Sequence, residues 1–223
     1  MSANRSRPGK RFVGIALALS IAAAGAGCSR DHPQAQEASG PSRADARDQG
    51  HGDAVECRGQ GTVPDAKVRY GTEILIHAPL RTVFEIQTDV NNWSDWQESM
   101  LTSKQLGSGP LRAGSPIRWT SAVAATPASP ATELSVTSTI KQVKRNNCIR
   151  WAGPANGEGI HISEGTHVWT FTKVEGGTLV RTEESWTGDE VDDNVELFTK
   201  ALGASLDSGV KELKAAAEAR TDR

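Results

Sequence analysis

Apolar and polar side chains alternate along much of the chain after residue 67, a pattern typical of half-buried strands. In residues 68–77 the apolar positions are Val68, Tyr70, Ile74 and Ile76, which predicts a first strand. Ala78 and Pro79 follow and indicate the start of a short helix, because proline is favoured in the first helical turn. Residues 89–98 predict a second short helix.

The second half of the chain contains short runs rich in β-branched and aromatic residues, separated by turn residues. They predict strands at residues 115–123, 133–143, 148–152, 165–174 and 178–187. Gly176 and Gly177 indicate a hairpin turn between the last two strands. Residues 189–219 carry apolar side chains at intervals of three and four, which predicts one long amphipathic helix. The elements predict an α+β domain, residues 66–220, with an antiparallel sheet of six or seven strands curved around that helix.

Two segments of this domain resemble a known family. They are HAPLRTVFEIQTDVNNWSDWQ (77–97) and GTHVWTFTKVEGGTLVRTEESWTG (165–188). Both are similar to the START/Bet v 1-like (SRPBCC) superfamily, and within it to the polyketide cyclase/dehydrase and lipid-transport group. The resemblance implies a helix-grip fold, with two short helices after strand one and an apolar ligand cavity between the sheet and the C-terminal helix. Members include lipid carriers, hormone receptors and cyclases, so the fold alone leaves the activity open.

The N-terminus has the zones of an export signal. Basic residues precede an apolar run at 12–24, and Gly25-Ala26-Gly27 stands directly before Cys28. The order resembles a bacterial lipoprotein signal peptide, residues 1–27, although Gly25 replaces the usual leucine. The apolar run at 12–24 is shorter than the about 20 residues that a membrane-spanning helix needs. Lipidation of Cys28 would therefore be the membrane anchor. A free Cys28 after cleavage and an uncleaved anchor are the alternatives.

Residues 28–65 are polar and almost free of aliphatic side chains, which predicts a flexible tether. Removal of residues 1–27 would take away Arg5, Arg7, Lys10 and Arg11, leaving 21 basic residues against 27 acidic ones, a net charge of −6. A mildly acidic chain without a basic cluster argues against nucleic-acid binding. The sequence therefore predicts an exported protein held at a bacterial cell envelope.

Two further cysteines, Cys57 and Cys148, remain after Cys28. An even pair in an exported protein suggests a disulfide, with two free thiols as the alternative. Their spacing does not fit a zinc site. His161, Glu164 and His167 match no metal motif, and we expect neither a metal nor another cofactor.

Alternate side chains of a strand lie on the same face of a sheet, and this alternation indicates which side chains could line the cavity. His167, Trp169 and Phe171 share one face of their strand, and Glu184 and Trp186 share one face of the next. With the large aromatic side chains placed inside, the predicted lining consists of Trp119, Trp151, His167, Trp169, Phe171, Glu184, Trp186, Phe198, Leu202 and Leu206. A one-residue bulge in any strand would reverse its assignment.

His167 and Glu184 are the candidate chemical groups. Burial in an apolar cavity moves the titration of a carboxyl and an imidazole towards neutral pH, so the two could act as an acid/base pair. The ordinary alternative is a buried histidine satisfied by a neighbouring carboxylate. Trp93 and Trp96 could form the cavity mouth or simply pack the second helix onto the sheet.

The sequence thus favours a lipid-anchored, extracytoplasmic protein that binds a hydrophobic small molecule or lipid. Gly203 and Gly209 would leave room in the long helix for that ligand, or would serve helix curvature and close packing. A cyclase or dehydratase acting on a hydrophobic carbonyl compound is the alternative, and an envelope protein that recruits an unidentified protein partner is the third. We expect binding rather than catalysis.

Overall fold

A computed structural model describes residues 55–124 and 131–221 of the chain. One seven-stranded antiparallel sheet organises these residues, with the strand order β1-β7-β6-β5-β4-β3-β2. The strands are β1 (Val68–Ile76), β2 (Met100–Gln105), β3 (Pro116–Val123), β4 (Thr132–Lys144), β5 (Cys148–Gly157), β6 (Ile160–Val174) and β7 (Gly177–Thr187). The helices are α1 (Leu80–Thr88), a short 3₁₀ helix (Val90–Asp95), α2 (Asp189–Asp193) and α3 (Val195–Thr221). The predicted helix-grip fold is confirmed.

The strands differ from the prediction where alternation is weak. The predicted strands did not include β2, which forms one edge of the sheet and has largely exposed polar side chains. The hairpin of β5 and β6 extends further than predicted, to Gly157 and Ile160. A register shift between Gly153 and Ala155 interrupts the two-residue period there, so that pattern alone does not reveal the full strands.

The predicted long C-terminal helix is divided in two. Asn194, with φ −132° and ψ 45°, ends α2 before α3 begins at Val195. The Asn194 side chain donates to the carbonyl of Glu190, and its own carbonyl accepts from the amide of Phe198. Asparagine bonds locally to the backbone in this way more readily than most residues, which favours a break in a helix.

The inner face of the sheet holds two hydrophobic clusters against the helices. The first cluster includes Ile76, Val83, Phe84, Trp93, Trp151, Trp169, Phe171, Val210 and Leu213. The second cluster consists of Val68, Val136, Ala155, Ile162, Val191, Phe198, Leu202 and Leu206. Trp119 packs against both clusters. The apolar side of α3 therefore serves both clusters, its C-terminal half the first and its N-terminal half the second.

An outer segment, residues 55–66, packs on the opposite face of the sheet. Cys57 and Cys148 form a disulfide with their Cα atoms 5.3 Å apart, and both are buried with Val168. The Val63 amide donates to the Ser185 hydroxyl over 3.0 Å. Residues 55–65, predicted from composition to belong to the tether, are instead held against the sheet. The disulfide and this hydrogen bond attach the segment to the sheet, and its polar composition did not reveal either contact.

Several predictions about the N-terminus lie outside the described residues. These are the signal peptide 1–27, lipidation at Cys28, and the tether from 28 to 54. In the two described ranges, no helix has the length and apolar character needed to cross a membrane.

Candidate functional site

One cross-strand row on the inner face brings the candidate chemical groups together. The antiparallel register aligns Tyr70 with Glu184, Glu184 with His167, His167 with Trp151, and Trp151 with Ile140. Directly paired residues of adjacent strands project to the same face of a sheet. The five side chains therefore form a line across β1, β7, β6, β5 and β4, with the polar pair between aromatic neighbours.

His167 uses both of its ring nitrogens. Nδ1 lies 3.0 Å from Oε2 of Glu184, and Nε2 lies 2.7 Å from the hydroxyl of Thr182. That hydroxyl donates its single proton to the carbonyl of Val168 over 3.0 Å, so it accepts from Nε2–H. With Glu184 ionised, Nδ1 donates as well. The hydrogen bonds thus fit a doubly protonated imidazolium ring against a carboxylate.

Glu184 is held in its charged form by its neighbours. Burial alone would raise the pKa of the Glu184 carboxyl, but the charge and hydrogen bond of His167 and the Trp186 indole together lower that pKa below its usual value. Trp186 Nε1 donates to Oε1 over 2.8 Å. Gly165 makes room for this arrangement, since a Cβ there would lie 3.3 Å from both Glu184 Oε1 and the Trp186 ring.

Aromatic rings surround the polar pair on the β5 side. The ring of His167 lies 4.7 Å from that of Trp151 and 5.2 Å from that of Trp169, measured between centroids. Trp93 of the 3₁₀ helix contacts Trp151 and Trp119, each at 5.6 Å. The structure therefore builds a continuous aromatic surface that only strands β3, β5 and β6 together with the 3₁₀ helix can assemble.

Most of the predicted lining residues lie on this inner face. Those that are buried are Trp151, His167, Trp169, Phe171, Phe198, Leu202 and Leu206. Trp119, Glu184 and Trp186 are only partly buried, so these three lie nearer the rim of the interior. The same side chains pack in the two hydrophobic clusters, and a ligand would have to separate some of these contacts.

Two indole N–H groups inside the domain have no partner among the described residues. They belong to Trp169, which is 4% exposed, and to Trp96, which packs against the first cluster. By contrast, Trp93 Nε1 donates to the carbonyl of Gln87 over 2.9 Å. Buried indole N–H groups usually find an acceptor. The sequence did not reveal these unpaired donors, because parity shows which face a side chain occupies and not its hydrogen bonds.

The two glycines of α3 lie in different surroundings. A Cβ on Gly203 would lie 3.0 Å from the Tyr70 ring, so this glycine permits close packing against β1. A Cβ on Gly209 would have no neighbour within 4 Å, apart from the helix itself. On a neighbouring turn, Glu212 accepts hydrogen bonds from Ser208 and from the Glu98 amide, and burial raises the pKa of its carboxyl. Open space at Gly209 therefore adjoins a contact between α3 and the turn after the 3₁₀ helix.

Two surface concavities lie away from the predicted cavity. One of about 520 Å³ is formed by β1 and α3 around Tyr70, Lys200 and Asp207. The other, of about 340 Å³, adjoins the connection between β2 and β3. None of the ten predicted lining residues borders either concavity. Within the described parts of the chain, no group of three metal-ligating side chains is found, and His161 is exposed and bonded to Asn156.

Solved structures with the same fold share little sequence with this chain. The protein TTHA0849 of Thermus thermophilus is 15% identical, with a TM-score of 0.55 over 68% of this chain and 98% of that one. The ZhuI aromatase/cyclase of Streptomyces sp. R1128 is 14% identical, with a TM-score of 0.55 over 69% and 94%. A START superfamily protein of Mycobacterium smegmatis is 13% identical, with a TM-score of 0.51 over 67% and 97%. At these identities the likeness concerns the fold.

The sequence itself matches a family model over most of the folded domain. None of the curated proteins compared with the chain matches it. The family model described as "Polyketide cyclase / dehydrase and lipid transport" matches residues 67–218, which begin just before β1 and end within α3. This range includes the whole sheet and the cross-strand row of Tyr70, Glu184, His167, Trp151 and Ile140. The chain therefore belongs to the polyketide cyclase/dehydrase and lipid-transport family.

Proposed function

We propose that this protein is a lipid-anchored, extracytoplasmic binding protein that holds a hydrophobic small molecule between the sheet and α3. The observation that carries the proposal is the aromatic inner face with one polar pair, the buried His167 and the partly buried Glu184, among its aromatic side chains. Ligand sites in proteins are predominantly apolar and contain a few precisely placed polar groups. The inner face of this sheet has the same composition. Membership of a family that includes lipid transport supports the same class of ligand.

The ligand would enter along the flank of α3 that contains Gly209. A side chain at Gly209 would meet nothing within 4 Å, and Glu212 joins this flank to the turn containing Glu98. Separation of α3 from that turn would open the aromatic surface around Trp119 and Trp151. Gly209→Phe should therefore weaken ligand binding, whereas Ala204→Phe, at an exposed position of the same helix, should not.

Native mass spectrometry of protein purified without detergent tests the binding proposal directly. We expect an apolar compound to co-purify, and an added apolar probe to quench the tryptophan fluorescence. Absence of a co-purified compound together with absence of quenching would reject binding. The recruitment of a protein partner through the outer surface would then be the better explanation.

Anchoring through Cys28 is a separate part of the proposal and needs its own test. The support is the order of basic, apolar and small residues before this cysteine. In Triton X-114 partitioning, the wild-type protein should enter the detergent phase and Cys28→Ala should stay in the aqueous phase. Equal aqueous recovery of both proteins would contradict lipidation.

A second candidate function, proton transfer on a hydrophobic carbonyl compound, is favoured by the 3.0 Å contact between His167 and Glu184. The same geometry also argues against it, because both nitrogens of His167 already have protein partners and neither is free to reach a substrate. If the protein is a cyclase or dehydratase, His167→Ala and Glu184→Gln should abolish turnover and largely preserve ligand binding. Binding without catalysis agrees better with the structure.

A further inference from the structure

The outer face of the sheet divides into two halves. The outer segment, residues 55–66, is bonded to the half formed by β5, β6 and β7, where Arg150 donates to the Gly61 carbonyl over 2.8 Å. Within the two described ranges, no hydrogen bond joins that segment to β2, β3 or β4. Lys104, Arg118 and Thr137, aligned across these three strands, are all exposed. The half formed by β2, β3 and β4 is therefore open to solvent.

Exposed basic side chains gather on this open half and in the turns at one end of it. Residues 99–153, which include β2, β3 and β4, contain seven basic residues and one acidic residue. The rest of residues 28–223 contains 14 basic and 26 acidic residues. Apart from Arg150, the seven form a basic surface that consists of Lys104, Arg112, Arg118, Lys141, Lys144 and Arg145. Because three strands and two turns contribute to this surface, no run of basic residues in the sequence indicates it.

The cations of the basic surface form no ion pair with a described residue. Elsewhere in the domain, carboxylates pair with Lys67, Arg69, Arg81, Arg181 and Lys214. Within the basic surface, Lys104 stands directly opposite Arg118 in the register of β2 and β3. Like charges at directly opposite positions destabilise a sheet. An anion that lies over both side chains would remove this repulsion.

Two exposed leucines accompany the cations of β2. Leu101 is 46% exposed and Leu106 is 39% exposed. The Leu106 amide donates to the Pro116 carbonyl, and Leu106 is two positions after Lys104, so both side chains project from the outer face. Leucines beside cations suit a lipid surface, where apolar side chains enter the boundary of the acyl chains and cations contact the phosphate groups. A soluble polyanion would leave both leucines in water.

The described chain begins on the same face of the sheet. Val55 packs against the disulfide of Cys57 and Cys148, and Cys148 is the register partner of Lys144. The chain that leads back to Cys28 therefore leaves the domain beside the basic surface. Residues 28–54 could span about 90 Å when fully extended, so an anchor at Cys28 would allow this face to reach the membrane.

From these contacts we propose that the basic surface docks the domain on an anionic lipid membrane, with lipid phosphates on its cations and with Leu101 and Leu106 in the interface. The inference goes beyond the proposed ligand binding, and it rests on the proposed anchoring only because Cys28 would hold the domain near lipid. Each basic residue near an anionic membrane raises the affinity about fivefold, so the six cations act together. Docking through the outer face leaves α3, on the inner face, directed away from the membrane.

Lysine labelling of the full chain on vesicles tests docking without any substitution. Vesicles of phosphatidylcholine are compared with vesicles of an equal mixture of phosphatidylcholine and phosphatidylglycerol. The vesicle-bound protein is acetylated with N-acetoxysuccinimide, and mass spectrometry gives the acetylation rate of each lysine. We expect Lys104, Lys141 and Lys144 to react about fivefold more slowly on the anionic vesicles. Lys200 and Lys211, exposed on α3, should react equally on both.

Salt and two matched double variants assign the protection to the basic surface. About 1 M NaCl shortens the Debye length to about 3 Å and should remove most of the protection. Lys104→Glu/Arg118→Glu should abolish the protection of Lys141 and Lys144. Lys200→Glu/Lys211→Glu changes the net charge by the same amount on α3 and should leave the protection unchanged. Circular dichroism verifies that each variant is folded.

Each result has a defined consequence. Equal labelling of wild type on both kinds of vesicle, protection of Lys200 and Lys211 instead, or protection that survives Lys104→Glu/Arg118→Glu would overturn docking and leave the proposed anchoring and ligand binding intact. Association with the anionic vesicles alone, with Lys104, Lys141 and Lys144 protected relative to unbound protein, would support docking and contradict anchoring.

Two further outcomes would also overturn the proposal. Association with neither kind of vesicle would overturn docking and anchoring together. Protection of the same lysines by heparin in solution, without protection by anionic vesicles, would assign the surface to a soluble polyanion. The comparison of vesicles on wild type needs no variant, so a double variant that fails to fold does not prevent the test.

Discussion

Replacing Glu184 by glutamine should destabilise the protein far more than the same change in an exposed ion pair. The amide oxygen can accept from His167 or from Trp186 but not from both, and the charge that faces the imidazolium ring is lost. A hydrogen bond to a charged group contributes about 1.5–3 kcal/mol, and breaking a buried ion pair costs about 3–5 kcal/mol. We expect Glu184→Gln to lower the free energy of unfolding by about 3 kcal/mol, the value at which these two ranges meet.

Glu73→Gln is the matched control. Glu73 pairs with Arg181 over 2.7 Å, but its side chain is 58% exposed. Exposed pairs contribute about 0–1 kcal/mol. Urea unfolding at pH 7, with equal m-values, measures both changes. For a domain of this size about 3 kcal/mol also corresponds to a fall of about 6–12 °C in Tm.

The pH dependence gives an independent measurement of the same contact. The folded pKa of Glu184 is lowered, so its contribution is present above the usual carboxyl value of 4.5 and is lost as the pH falls through the folded pKa. The difference in the free energy of unfolding between wild type and Glu184→Gln should therefore become smaller as the pH is lowered. A stability loss for Glu184→Gln that is no larger than that of Glu73→Gln, or a difference from wild type that stays constant in acid, would refute the buried ion pair.

Three further perturbations test other parts of the structure. Cys148→Ser opens a disulfide that spans 91 residues, and it should lower the free energy of unfolding by about 4–5 kcal/mol in the chain-entropy model. Urea titration measures this loss, and reduced wild type is the control, which should lose the same free energy of unfolding. Gly209→Ala should raise stability by about 1 kcal/mol through helix propensity, whereas Gly203→Ala should be the less stable variant because its Cβ would lie 3.0 Å from the Tyr70 ring; equal melting temperatures would contradict this. Glu212→Gln should raise Tm at pH 7, because burial raises the folded carboxyl pKa and penalises the ion, and the gain should vanish below about pH 4.5; a constant gain would point to another cause.

The pattern of side chains predicted most of the fold because it reports local geometry. The two-residue period located β1, β3, β4 and β7, and the spacing of three and four located α3. The pattern was uninformative in β2, an exposed edge strand, and misleading around Asn194, where a local hydrogen bond overrides a helical spacing. Periodicity measures burial of one face, so it weakens wherever both faces are exposed or the backbone is irregular.

For the candidate site, the sequence predicted which face of the sheet each side chain occupies, but not its distances or hydrogen bonds. Parity placed His167 and Glu184 together because alternate residues of a strand share a side, and the register then aligned them directly. The contact distance of His167 and Glu184, the hydrogen bond to Thr182 and the unpaired N–H of Trp169 depend on residues up to 17 positions apart in sequence and on their packing in the interior.

The sequence by itself determined the helix-grip architecture and which side chains could share the inner face, His167 and Glu184 among them. Only the tertiary structure decided that residues 55–66 pack on the outer face through Cys57 and Cys148, and that the indole N–H groups of Trp96 and Trp169 have no partner among the described residues. The physical reason is that face and period follow from backbone geometry within one element. Hydrogen-bond partners and packing are set by atoms that distant elements bring within a few ångströms of each other.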